Sequence, residues 1–226
     1  MNNGYIINLL LLLLSLYLFY STRAHLAKEW KFVLYSVLFT GVFSLGISVA
    51  FVRYQLIHYD FNQTAGFEVS AIPLAAVLLC FTLPTASIAI YNALNQRYQE
   101  NSLDRYTLAF SNMLIGLCIA FVFFAYTMAY SVVTFMLLFF ILLFMEYRNK
   151  LRFMYRFYRA YGVIALSYFL VSLALGTING AAYNVAHTVK FNLAGVPFEN
   201  YALLFVMVLF AVYLFELFKS RKHGTA

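Results

Sequence analysis

Glu199 is the residue of this chain best placed for acid–base chemistry: it follows Pro197 by two positions and leads directly into the apolar run 201–218. A carboxyl committed to hydrocarbon is costly unless it is neutral, paired or used, and one that is used serves as a proton donor and then as an acceptor. A second account, an acid at a helix N-terminus complementing the dipole at headgroup level, stays open from these residues alone. Glu29, Asp60, Glu100 and Asp104 read as solvated loop charge, while Glu146 with Lys150 at i+4 and Glu216 with Lys219 at i+3 predict ion pairs at the membrane face.

The surroundings of Glu199 occur twice. IHYDFNQTAGFEVSAIPLAA at 57–76 returns without a gap as AAYNVAHTVKFNLAGVPFEN at 181–200, an offset of 197 − 73 = 124. The offset pairs Tyr59 with Tyr183, Thr64 with Thr188, Phe67 with Phe191 and Pro73 with Pro197. Where the second copy carries Glu199 and Asn200, the first carries Ala75 and Ala76.

The elements that must position these residues are membrane helices. With 64% hydrophobic and 10% charged residues in 226, the chain cannot hide its apolar surface in a water-soluble core. Seven runs have spanning length: 5–20, 32–52, 69–94, 108–127, 130–147, 161–178 and 201–218. Of the 15 Lys and Arg, 13 fall after odd-numbered spans and only Arg53 and Lys190 on the other side, which predicts an outside N-terminus and a cytoplasmic C-terminus in a prokaryotic inner membrane. Anionic lipid accounts for the +7 charge, so nucleic acid is not expected as a partner. Cys80 and Cys118 lie inside spans without CxxC spacing and read as small buried side chains. No metal-ligand cluster or glycine-rich phosphate loop appears, so neither a metal nor a cofactor is expected.

Shifted by 124, span one falls on span five and span two on span six, and span four has no counterpart. The expected fold is all-α: a single polytopic domain of two parallel three-helix repeats joined by a linker helix, with repeat one at 1–100, the linker at 101–128 and repeat two at 129–226. Pro73 and Pro197 open spans three and seven, where the missing N–H costs no helix bond. The loops before them, carrying Tyr59, Asp60, Tyr183 and His187, either connect helices or help to close a site.

The segments Ile72-Pro73-Leu74 and Val196-Pro197-Phe198-Glu199-Asn200, each opening a long helix after a tyrosine-bearing loop, resemble the integral-membrane lycopene cyclases. So do Lys-Glu-Trp-Lys-Phe at 28–32, Ala-Ile-Tyr-Asn-Ala-Leu at 89–94 and Tyr-Leu-Phe-Glu-Leu-Phe at 213–218. That family's motif is a proline, any residue, then Glu followed by Glu or Asp, once per repeat. Glu199 keeps the first acid of the second motif, whereas Asn200, Ala75 and Ala76 stand at the other three acid positions.

The resemblance implies an isomerase of carotenoid biosynthesis acting on a lipid-soluble substrate such as lycopene. A proton is placed on the terminal alkene, the tertiary cation is captured by the next double bond, and loss of a proton fixes the ring without redox change. Glu199 then acts as general acid and base, with Asn200, Tyr59, Tyr183 and Asp60 as candidate helpers. The motif positions of the two copies, 75 and 76 against 199 and 200, are expected to face one another across a cavity between the repeats. The alternative is an inactive homologue that binds a carotenoid or partners an active cyclase, as a homo-oligomer or a subunit. A small parallel-repeat transporter shares the helix plan but relies on prolines in helices that rock, and spans one, two, five and six have none.

Overall fold

The computed structural model describes residues 3–22, 29–59, 67–98, 104–149, 151–175 and 180–223. In order, the elements are α1 (Asn3–Ser21), α2 (Trp30–Arg53), β1 (Ile57–Tyr59), β2 (Glu68–Val69), β3 (Ile72–Pro73), α3 (Leu74–Arg97) and α4 (Asp104–Phe124). There follow α5 (Ala129–Leu143) with a π-helical turn at Phe144–Arg148, α6 (Met154–Leu175), β4 (Ala181–Tyr183), β5 (Asn192–Leu193), β6 (Val196–Pro197) and α7 (Glu199–His223). Seven helices among the described residues are long and apolar enough to cross a membrane, and the chain is an integral membrane protein.

Helix α7 is apolar all round and sits in the middle of the bundle, with Val206, Leu209, Val212 and Phe215 sealed among residues of α2, α3, α5 and α6. Its counterpart α3 is the other enclosed span. Helix α2 lies so close on α3 that a Cβ at Gly41 would stand 2.2 Å from the ring of Phe81 and would force that ring to move.

The boundaries differ from the sequence reading at one instructive place. Span three does not begin at 69: Glu68–Val69 and Ile72–Pro73 form a two-stranded hairpin, and α3 starts at Leu74. Asn192–Leu193 and Val196–Pro197 repeat it 124 residues later. Both hairpins turn through two residues of positive φ, Ser70 (54°) and Ala71 (61°) in one and Ala194 (53°) and Gly195 (78°) in the other, the requirement of a type I′ turn. The same backbone bond closes each, Leu74 N–H to the Phe67 carbonyl and Phe198 N–H to that of Phe191, both at 2.9 Å.

Strand β1 pairs antiparallel with β4, Ile57 opposite Tyr183, His58 opposite Ala182 and Tyr59 opposite Ala181. The 124-residue shift turns the first of these pairs into the last, so a local twofold passes between His58 and Ala182. The anticipated pair of Glu216 with Lys219 is corrected. Lys219 pairs across the bundle with Glu29 at 3.1 Å, Glu216 accepts from the Tyr91 hydroxyl at 2.7 Å, and Glu146 accepts from Ser111 Oγ. Lys150 lies outside the described residues.

Candidate functional site

Between the two copies lies a cavity of about 160 Å³. Its walls come in repeat-related pairs: Tyr59 and Tyr183, Ala76 and Asn200, Leu79 and Leu203, Ser44 and Tyr168. Tyr130, at the start of α5, completes the polar lining. Its hydroxyl donates to Asn200 Oδ1 at 2.5 Å, and Asn200 Nδ2 donates to the Tyr183 hydroxyl at 2.6 Å. Asn200 is thereby fixed between two phenols. The ring of Phe51 meets that of Tyr130 edge-on and Tyr130 meets Tyr183 at a tilt, with centroids 5.0 and 5.7 Å apart. Burial pushes the Tyr59 phenol up to about 12, with Cys80 adding a smaller charge effect, and drives that of Tyr183 well above its ordinary value. Both are therefore neutral at physiological pH and stand ready as donors, not as bases.

The structure brings Tyr59, Tyr183, Ala76 and Asn200 together, but it does not set all four motif positions across the cavity. Ala75 and Glu199, one residue earlier on their helices, are absent from its lining. Ala75 turns toward α1, where its carbonyl accepts from Asn8 Nδ2 at 2.8 Å while Thr82 Oγ1 donates to Asn8 Oδ1. The first copy thus holds a closed neutral network where an acid is missing. Asp60 lies outside the described residues.

Glu199 is 0% exposed. Its Oε1 accepts two hydrogen bonds, from Ser131 Oγ on α5 and from the Val189 N–H at 2.7 Å. Its Oε2 is buried with no partner among the described residues. With Oε1 already accepting twice, a proton on this carboxyl belongs on Oε2. The arrangement suits either half of a proton cycle: two fixed donors stabilise the anion after donation, and the bare oxygen carries the proton before it. Sequence reasoning had named neither Ser131 nor the backbone of Val189, nor Tyr130 and Tyr168. Position 131 corresponds to Ile7 in the first copy, so the repeat gave no signal for it.

Fold and cavity define a polytopic membrane protein in which two copies of a helix unit enclose a chamber of phenols beside a buried carboxyl. The chain belongs to the lycopene cyclase family, which matches it twice, over residues 2–94 and 126–218. The two matches begin 126 − 2 = 124 residues apart, the offset of the repeat, and α4 falls between them. No curated protein and no solved structure matches the chain.

Proposed function

We propose that the chain binds the open end of a linear carotenoid in the inter-repeat cavity and cyclises it, with Glu199 as both proton donor and proton acceptor. The observation that carries this reading is the buried Oε2, without a partner among the described residues, of a carboxyl whose other oxygen is held by two donors, one residue from the cavity-lining Asn200. The proton leaves Oε2 for the terminal alkene and the tertiary cation is captured by the neighbouring double bond. A proton from the ring carbon then returns to the same carboxylate, leaving an isomer and an unchanged enzyme. The faces of Tyr59, Tyr130, Tyr168 and Tyr183 suit the passing positive charge.

The second reading is a carotenoid-binding protein without turnover. It is favoured by a cavity lining that, among the described residues, contains tyrosines, serines and an amide but no carboxyl. Expression in a lycopene-accumulating host decides between them. The cyclase reading expects a cyclic carotenoid from the native chain and none from Glu199→Gln, with equal protein in the membrane, since the amide keeps the shape but cannot donate a comparable proton. Co-purified lycopene without any ring product supports the binding reading instead.

Both readings take the two copies to run in the same direction across the inner membrane, with the hairpin end outside. The distribution of basic residues supports this sidedness.

A further inference from the structure

The cavity of about 160 Å³ is of the size that holds a single small ring, since roughly 150 Å³ accommodates benzene. A polyene long enough to have two ends cannot be enclosed there, so its remainder must leave through the wall. A second chamber of about 110 Å³ lies between α1, α3 and α6 and shares three lining residues with the cavity, Leu79, Leu83 and Tyr168. Its outer rim includes Leu14, 41% exposed, and the exposed Ser167, so it opens on the surface that faces hydrocarbon. The larger groove of about 310 Å³ between α4 and α7 shares no lining residue with the cavity among the described residues and offers no such passage.

The repeat shows why the opening exists on one side. The small residues that line it include Ala86 on α3 and Ser167 on α6. Shifted by 124 these two become Phe210 and Phe43, whose rings lie against each other at 4.8 Å between α7 and α2. One side of the repeat pair carries small side chains and a chamber, and the related side carries two packed phenylalanines.

We propose that this chamber is a lateral portal: a linear polyene reaches the cavity from the bilayer between α1, α3 and α6, past Leu79, Leu83 and Tyr168, and the related route is plugged by Phe43 and Phe210. The identity of the occupant rests on the function proposed above, whereas the portal rests on the geometry. The full chain in phosphatidylcholine nanodiscs, irradiated with a small apolar aryl diazirine and mapped by mass spectrometry, tests both.

Adducts are expected on Tyr168, Tyr59 and Tyr183. Ala86→Phe with Ser167→Phe, which copies the plugged side, loses those on Tyr59 and Tyr183 and keeps those on Tyr161 in the separate groove. Adding Phe43→Ala and Phe210→Ala restores them. Persistent Tyr59 and Tyr183 labelling in the filled variant overturns the portal. If the filled variant also loses the Tyr161 adducts, the smaller pair Ala86→Leu and Ser167→Leu is read by the same criterion. Lycopene added before irradiation should suppress labelling of Tyr59 and Tyr183. If it does not, while filling does, the polyene reading falls and the portal stands.

Discussion

Among the described residues, two donors on one oxygen of Glu199 and none on the other make this carboxyl asymmetric before any substrate arrives. The structure also sorts the vacant motif positions. Ala76 and Asn200 share the cavity, whereas Ala75 is packed against Asn8. Ala76→Glu with Asn200→Asp should therefore raise ring formation in the lycopene-accumulating host, because two facing carboxyls share one proton and divide the acid and base roles. Adding Ala75→Glu should instead lower membrane yield, as it forces a new acid into the Asn8 network at about 3 kcal/mol. An unchanged yield with Ala75→Glu would count against the packing described for Asn8.

A phenol gives the pH prediction. Tyr59 titrates at about 12 in the folded chain against 10.0 for the free phenol. Folding thus retains a proton that the unfolded chain gives up, so this contribution is intact below pH 10 and is lost as pH rises toward 12. Thermal melts in detergent should fall across that window, and less so for Tyr59→Phe. Glu199, Tyr59 and Tyr183 were legible because the repeat and the proline mark them. Ser131 and Tyr130 were not, since they reach Glu199 and Asn200 from 68 and 70 residues away, and no spacing encodes how one helix is rotated against another.

At the scale of elements, seven apolar runs announced seven helices, and their composition allowed little else in lipid. The hairpins were not announced. Ser70-Ala71 carries none of the Asn-Gly or Gly-Gly signals that mark a two-residue turn, and Val69 and Ile72 blend into the apolar run of α3. The first hairpin therefore holds Ala71 at φ 61°, where the second has Gly195 at 78°. Left-handed backbone costs a non-glycine residue about 1–2 kcal/mol. Ala71→Gly should raise the melting temperature of the purified protein, and Gly195→Ala should lower it. The opposite order would show that chain entropy outweighs strain at these turns.

For the whole molecule, the ungapped 124-residue offset was the strongest signal in the sequence, and it reappears in the hairpins, in their turn angles and in the two family matches. Sidedness rests on the basic residues, so reporter fusions at Gln96 and Lys150 should register the cytoplasm and one at Gln63 the outer side. A cytoplasmic signal at Gln63 reverses the orientation. What the sequence withheld at this scale was the unequal treatment of the two flanks. Phe43 and Phe210 are unremarkable in a chain with 25 phenylalanines until the fold puts one on the other.

The register of β1 on β4 has a historical meaning. Ile57 opposite Tyr183 and Tyr59 opposite Ala181 is the self-complementary pairing that two identical polypeptides adopt about a twofold axis. The chain thus reads as one unit written out twice, with α4 between the two copies. Duplication releases each descendant half from carrying every part. The first half has alanine at 75 and 76 where the second has Glu199 and Asn200, and the halves join in sealing one flank with Phe43 and Phe210 while leaving Ala86 and Ser167 on the other, so unequal use of two like units is recorded in a single chain.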